Sequence, residues 1–521
     1  MNSHSGNTLS VWMKTGEIPV PPKLTENISA DVCVVGAGIA GMSTAFLLAC
    51  EGKTVAVLDD GPIAGGETER TTAHLVSALD DRYFNLEHFH GEKGSRLAAE
   101  SHTQAIDQIE RIVGAEDIKC EFERVDGYLF IPPGESTEIL DRELAAVHRA
   151  GLTAVRRLNQ GPWTFFDTGP CLHFPQQGQF HPLKYLRGLA AGIDKRGGRI
   201  FSQTHMSKVE GGAPGRVETS DGFSVTADAV VVATNTPVND LVAVHTKQAA
   251  YRTYVIGVRV PSGSVPKALY WDTAQEAGLA DKPGPTAYHY LRLEPGALDY
   301  DLLLVGGEDH KTGQADDAAQ RWAGLEMWTR KRFPMSGAVE YRWSGQVMEP
   351  IDGLGFIGRN PLDKPNVYIA TGDSGNGMTH GTIAGILLTD LIVGRENAWA
   401  TLYDPSRKTF RAATRFAREN LNVAAQYAQF VTGGDVDSVQ QIARGSGAVI
   451  RRGLKKIAVY RDEQGNLQEC SAICSHLGCI VGWNDTEKSW DCPCHGSRFD
   501  RSGTVLNGPA IHPLDGRDRP G

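Results

Sequence analysis

The stretch ADVCVVGAGIAGMSTAFLLACEGKTVAVLDD, residues 30–60, decides how the first four-fifths of the chain folds. Val32–Val35 reads as a short buried strand, and Gly36, Gly38 and Gly41 follow it at once as G-x-G-x-x-G. A helix is predicted over Ile39–Cys50, closed by Gly52, then a second buried strand over Val55–Leu58 with Asp59 at its end. Each piece has a physical task. Gly36 makes the tight turn, Gly38 lets backbone approach a pyrophosphate, and Gly41 lets helix and strand pack closely. The helix N-terminus at Ile39 and Ala40 faces the phosphates, and Asp59 can accept from a ribose hydroxyl. A dinucleotide site is expected. Val32–Cys50 has no charged residue and has the look of a membrane span, but glycines interrupt it, no basic residues flank it, and Asp31 precedes it. A unit of this type that has lost its ligand is the other alternative.

Working outward, 521 residues are too many for one core, so two or three domains are expected. A formal charge of -10 without any basic run argues against nucleic-acid partners. The start, MNSHSGNTLSVWMKTGE, lacks a basic region followed by an apolar one, so a cytoplasmic protein without secretion signal, anchor or membrane span is expected. Of nine cysteines, Cys33, Cys50, Cys120 and Cys171 are scattered, while Cys470, Cys474, Cys479, Cys492 and Cys494 crowd into 25 positions. Such clustering points to chemistry and not to packing.

Residues 1–29 read as an irregular arm, with Pro19, Pro21 and Pro22 barring helix. The loop GPIAGGETERTTAHL, residues 61–75, suits a segment passing close to a cofactor. Arg70, Thr71 and Thr72 are its candidate donors to phosphate or ribityl oxygens; a solvated polar loop is the plainer reading. His74, on the same loop, faces a ring system or is structural. Helical periodicity is present over 92–114 and 136–151, and Pro182 opens a helix to about Lys195. Strands are predicted at Val125–Pro132, Arg199–Gln203, Lys208–Glu210, Val217–Thr219, Asp228–Pro237, Tyr288–Glu294 and Asp301–Gly313. Residues 246–343 mix strands and turns, and near residue 370 a buried strand, a Gly-rich turn and a helix starting after Gly381 follow. No second G-x-G-x-x-G follows a strand, so no nicotinamide-binding domain is expected. A composition shift at Gly433–Gly434 marks a linker over 426–434, and a β-rich module occupies 435–521.

Over roughly residues 28–420 these motifs resemble the glycine/D-amino-acid oxidase family of flavoproteins. The resemblance implies FAD bound by three separated segments: Gly36–Gly41 with Asp59, Val230–Asn235, and Gly372–Gly381. In the last, Gly372, Asn376, Gly377, Met378 and Thr379 become cofactor-binding candidates, with the helix start near the flavin's N1–C2=O edge. GDSGNGMTHG departs from the family's commoner form, which has histidines at Asp373 and Asn376. The implied fold is α/β, a Rossmann-like FAD-binding domain (about 30–90, 175–245 and 344–425) with a mixed α+β substrate domain (about 91–174 and 246–343). Family members oxidise a C–N bond of an amino acid or amine by hydride transfer to the flavin. His74, Tyr288, Tyr290, Arg292 and Gln346 are the candidates to hold a substrate; each is equally readable as an ordinary loop or sheet residue.

The tail carries CSHLGC at Cys474–Cys479 and CPCHGS at Cys492–Ser497. Cys474-x-His476 and Cys492-x-x-His495 supply two thiolates and two imidazoles, a set that suits either a [2Fe–2S] cluster or zinc. Zinc leaves Cys479 and Cys494 without a purpose. The pattern resembles a Rieske domain over about 435–521, an all-β module. The resemblance implies iron ligands Cys474, His476, Cys492 and His495 and a disulfide between Cys479 and Cys494. Phe499 stands where respiratory Rieske proteins have a tyrosine, whereas Ser497 is kept. Only 26 residues follow His495, too few for an oxygenase domain with its own 2-His-1-carboxylate iron.

Together these features predict an FAD-dependent dehydrogenase of a small amine or amino acid. Its electrons would leave singly through the Rieske cluster to an acceptor protein or quinone. Two alternatives stay open: an electron-transfer or redox-sensing protein without its own substrate, and an oxygen-using oxidase with a structural cluster.

Overall fold

The computed structural model describes residues 5–132, 136–239, 244–273, 288–296, 299–430 and 432–514. Parts of the predicted arm (1–4), of the strand-and-turn region 246–343 (274–287 and 297–298) and of the C-terminal module (515–521) lie outside the described residues.

The nucleotide motif sits at the centre of an eight-stranded sheet. Ile28–Val35 pairs in parallel with Val55–Leu58 on one side and Ser224–Val232 on the other. Arg199–Phe201 and Val367–Thr371 extend it in parallel, and Phe356–Arg359 closes one edge antiparallel. A parallel sheet must be covered on both faces, and the apolar run of the first strand does this residue by residue. Val32 and Val34 enter one core, Cys33 and Val35 the other, and Val55/Val57 against Ala56/Leu58 repeat the split. Helix Ile39–Cys50 has its predicted bounds, as does Pro182–Lys195.

The second sheet has nine strands and is mainly antiparallel, from Val339–Pro350 through Gln248–Pro261, Tyr300–Lys311 and His289–Pro295 to Glu123–Phe130 and Cys171–Gln179. Its strands contribute His74, Trp271, Tyr290, Asp309 and Gln346 to a cavity that the glycine loop of the first sheet also lines. The C-terminal module has a three-stranded sheet, Ser446–Arg452, Lys455–Arg461 and Leu467–Ser471. A four-stranded sheet from Gly482–Asn484 to Val505–Asn507 completes it. Trp490, Phe499, Ile480 and the ligand-loop cysteines fill its core. Among the described residues no helix is long and apolar enough to cross a membrane.

Three expectations need correction. The arm is not irregular throughout: upstream of the prolines, Val11–Thr15 is helical, capped by Ser10, with Val11 and Trp12 fully buried. The late helix runs Gly377–Val393 and so starts before Gly381, not after it. Gly381 and Gly385 instead form a notch, since added Cβ atoms would meet Ile39 at 2.6 Å and Ser43 at 2.8 Å. Small residues here let two helices converge N-terminus first on one cavity. The stretch expected as a linker is partly structured too: Tyr427–Phe430 is a 3-10 turn, and the Tyr427 hydroxyl donates to Leu477 O at 2.7 Å on a ligand loop.

Candidate functional site

The glycine loop behaves as its spacing requires. Gly36 has φ +105°, and an added Cβ would lie 2.4 Å from Ala233 O. At Gly41 a Cβ would lie 1.9 Å from Gly36 O, whereas at Gly38 it meets only the Thr68 hydroxyl, at 3.2 Å. Gly36 and Gly41 therefore pack against protein, and Gly38 faces a cavity. That cavity is about 350 Å³ and is lined by all three segments expected to hold FAD. Gly36, Gly38, Ile39, Ala40 and Asp59 line it, with Thr71, Thr72, Ala233–Asn235, Gly372, Asn376, Gly377 and Met378. The N-termini of both converging helices open onto it, so two positive dipole ends face the same space. Asp59 accepts from Ala37 N at 2.6 Å and Gly61 N at 2.7 Å. Burial and then neighbouring Asp60 raise its carboxyl to about 7, against the pull of those two bonds. The residues present fit a dinucleotide with a pyrophosphate: a glycine cradle, two helix N-termini and an acid at the strand end.

Three candidate residues are turned to other work. Arg70 reaches the cavity wall, and its guanidinium donates to Ser344 O, Thr8 O and Thr8 Oγ1 and pairs with Glu487, so it ties the junction between the two modules. Arg292 is buried under the sheet, paired with Glu294 and donating to Ala73 O and Phe180 O; it does not line the cavity. The Thr379 hydroxyl bonds Nδ1 of His102 at 2.8 Å and also lies outside the lining. A buried arginine or threonine must find partners, and these partners come from strands far along the chain.

The other candidates do meet at the cavity. His74, Tyr288, Tyr290 and Gln346 line it together with Trp271. His74 is neutral and engaged at both nitrogens: burial, then Arg292, lower its pKa to about 3, Nε2 donates to Leu291 O, and Nδ1 meets the Thr72 hydroxyl. Tyr288 donates to Asp80 at 2.7 Å, and Tyr290 shares a bond with Thr253 at 2.7 Å. Sequence reading missed a ring of acids in the same wall: Asp80, Asp309, Glu349 and Asp373. Burial first, with smaller contributions from neighbouring acids such as Asp81, Glu67 and Asp80, pushes Asp80, Asp309 and Asp373 up to about 6 and Glu349 well above the ordinary range. No local pattern marks them, since they come from four separate segments.

The two ligand loops are built alike. Gly478 and Gly496 adopt φ +82° and +79°, and their amides donate back to Cys474 O and Cys492 O. The sulfurs of Cys474 and Cys492 lie within hydrogen-bond reach of each other, and the Ser497 hydroxyl reaches Cys474. The rings of His476 and His495 stand 5.1 Å apart. Nδ1 of His495 is buried without a hydrogen-bond partner among the described residues, as an imidazole awaiting a metal would be. Cys479 and Cys494 are joined as a disulfide, with Cα atoms 6.5 Å apart. Their sulfurs lie close to that of Cys492, but bonded to each other they leave Cys492 to pair with Cys474. Two thiolates and two imidazoles on two glycine-closed loops fit a [2Fe–2S] cluster.

The module is set hard against the flavoprotein part. His245, 2% exposed, packs edge-on to His476 at 5.0 Å and to His495 at 6.3 Å. Gln346, in the cavity wall, donates to Gly496 O at 3.1 Å, one residue beyond His495. Glu487 is fully buried and is reached by Arg70, Arg252, Ser344 and the arm's Asn7 and Thr8. Val505–Gly508, Ala510 and Ile511 of the module close one side of the cavity itself.

Comparison with known proteins agrees with this architecture. Residues 31–391 match the FAD dependent oxidoreductase family, and residues 434–516 match the Rieske [2Fe-2S] domain. A Rieske 2Fe-2S iron-sulfur protein of Bacillus subtilis, YhfW, is 30% identical over 508 residues, covering 96% of each chain. Gamma-glutamylputrescine oxidoreductase of Escherichia coli is 27% identical over 389 residues, 73% of this chain and 88% of that one. Among solved structures, glycine oxidase from Geobacillus kaustophilus superposes with a TM-score of 0.60 at 18% identity, covering 73% of this chain and 99% of that one.

Proposed function

The chain belongs to the FAD dependent oxidoreductase family and carries a Rieske [2Fe-2S] domain behind it, and from that premise we propose that it oxidises the C–N bond of a small amine or amino acid and delivers the electrons singly to an external acceptor, a protein or a quinone. Bound FAD supplies two-electron hydride acceptance, and the cluster supplies one-electron transfer. The observation that carries the reading is the shared wall: Gln346 lines the cofactor cavity and holds the carbonyl of Gly496 on a cluster loop. Two redox sites joined by one side chain suit passage of electrons inside the molecule.

The chain's own residues have distinct tasks in this scheme. Gly38 and the two helix N-termini hold the pyrophosphate and the electron-rich edge of the ring. Tyr288, Tyr290, Trp271 and His74 wall the substrate space and keep water out of it. His74, neutral and bonded at both nitrogens, shapes that space and takes no proton. Cys474, His476, Cys492 and His495 hold the cluster, and the Cys479–Cys494 disulfide ties their loops. His245 and Gln346 press these loops onto the cavity. The likeness to an enzyme named for gamma-glutamylputrescine supports an amine substrate.

The test begins with cofactor content: purified protein should hold FAD and iron at one FAD to two irons. Anaerobic mixing with a panel of amines and amino acids should then bleach the flavin absorbance with at least one of them. Zinc in place of iron, or a flavin that no amine bleaches, would sink the proposal.

A further inference from the structure

One region of the cavity wall is rich in carboxylates and aromatic rings, and the described residues there offer a substrate no free cation. Asp80, Asp309, Glu349 and Asp373 line it, and among the described lining residues the one permanently cationic side chain is Arg70, which pairs with Glu487. An α-amino acid entering this wall brings a carboxylate, and a carboxylate taken out of water needs a cation or several donors. Arg292, one of the candidates to hold a substrate, is paired with Glu294 away from the cavity.

Each of the four acids meets a donor, but one of them keeps an oxygen without a partner among the described residues. Asp80 accepts from Tyr288 at 2.7 Å, Glu349 from Ser374 at 3.1 Å and Asp373 from Met348 N at 3.0 Å. Asp309, which also meets Thr253, keeps Oδ1 enclosed with no hydrogen-bond partner among the described residues. Aromatic groups frame the same space independently. The ring of Tyr290 lies 5.6 Å from that of Tyr288 and 5.8 Å from His74, and His74 lies 6.0 Å from Trp271. Carboxylates among aromatic faces form the environment that recognises an ammonium group. His74 is held neutral and does not repel one.

Resting on the amine-oxidising reading above, we propose that the substrate carries a second, non-reacting ammonium and that Asp309, framed by Asp80, Thr253 and Tyr290, holds it. The substrate class is then a diamine or polyamine derivative and not an α-amino acid. The reacting nitrogen arrives neutral, while the distal nitrogen stays charged and anchors the chain. Burial and Asp80 raise the Asp309 carboxyl to about 6, and an ammonium beside it restores the ionised form.

The experiment measures equilibrium binding to dithionite-reduced holoprotein, where no hydride can move, with 1,4-diaminobutane, n-butylamine and glycine as probes. The diamine should bind about tenfold or more tightly than either of the others. Asp309→Asn should bring the diamine down to about the level of n-butylamine, and Asp309→Glu should keep most of the preference. Glycine binding as tightly as the diamine overturns the proposal without any variant. So does an Asp309→Asn protein that keeps its FAD and its full diamine preference. Failure of the underlying reading looks different: protein without FAD, or flavin that no amine or amino acid bleaches.

Discussion

Arg70 and Glu487 meet at 3.4 Å with both side chains fully buried, although 417 residues separate them in the chain. Burial alone would push the Glu487 carboxyl up, but Arg70, Arg252 and Arg498 and the Ser344 hydroxyl more than offset this and hold it at about 2. The two modules are therefore joined by charge as well as by packing. Removing one partner leaves buried charge uncompensated, so Glu487→Ala should destabilise the junction by about 3–5 kcal/mol. Native-state hydrogen exchange would read this as faster exchange of amides around Ser344 and Asn484 together.

The same pair predicts an acid limit. A carboxyl at about 2 in the folded protein, against an ordinary 4.5, contributes stability that is fully present above about 4.5. That contribution is lost as the pH falls through about 2. Undocking of the module should therefore begin below about pH 4.5 in the parent, and Glu487→Gln should flatten this dependence; scattering profiles across that range would follow it.

At the glycine loop, two substitutions should fail in different ways. Gly38→Val adds bulk on the cavity side of the loop, so folded protein should be recovered without FAD. Gly41→Ala drives a Cβ to 1.9 Å from Gly36 O, so the fold itself should suffer. FAD content and thermal unfolding of the two variants separate the cases.

Much of this was legible in the chain because it is local. The strand–glycine–helix–strand unit and the C-x-H and C-x-x-H loops depend on residues close together; helix Ile39–Cys50 lies between its glycine signals, and Pro182–Lys195 begins at its proline. What escaped is tertiary. Arg70 and Arg292 are the residue types a phosphate or a carboxylate wants, and only the partners Glu487 and Glu294 reveal that they are spoken for. Asp80, Asp309, Glu349 and Asp373 gain their meaning by converging from four segments, and His245 by packing on ligands more than 230 residues away.

The disulfide spans a separation of 15 residues, a loop whose closure is worth about 3 kcal/mol in the chain-entropy account. Replacing Cys479 and Cys494 by Ser should lower cluster occupancy and the module's unfolding midpoint while leaving FAD content as it was. Iron-to-flavin ratio checks it directly.

Phe499 is fully buried in the core of the cluster module. If it stands where a tyrosine donates to a ligand sulfur, Phe499→Tyr adds a donor that favours the reduced cluster. A differential of about 1 kcal/mol corresponds to about 40 mV for one electron. Voltammetry should find the potential raised by that order.

The central claim is that substrate electrons reach the cluster through the flavin site within one molecule. Rapid-freeze EPR after anaerobic mixing of holoprotein with a substrate that bleaches the flavin tests it most directly. A reduced Rieske signal should grow in after the flavin absorbance falls, first-order and independent of protein concentration, and Gln346→Leu should slow it. A flavin that is fully bleached while the cluster stays oxidised would contradict it.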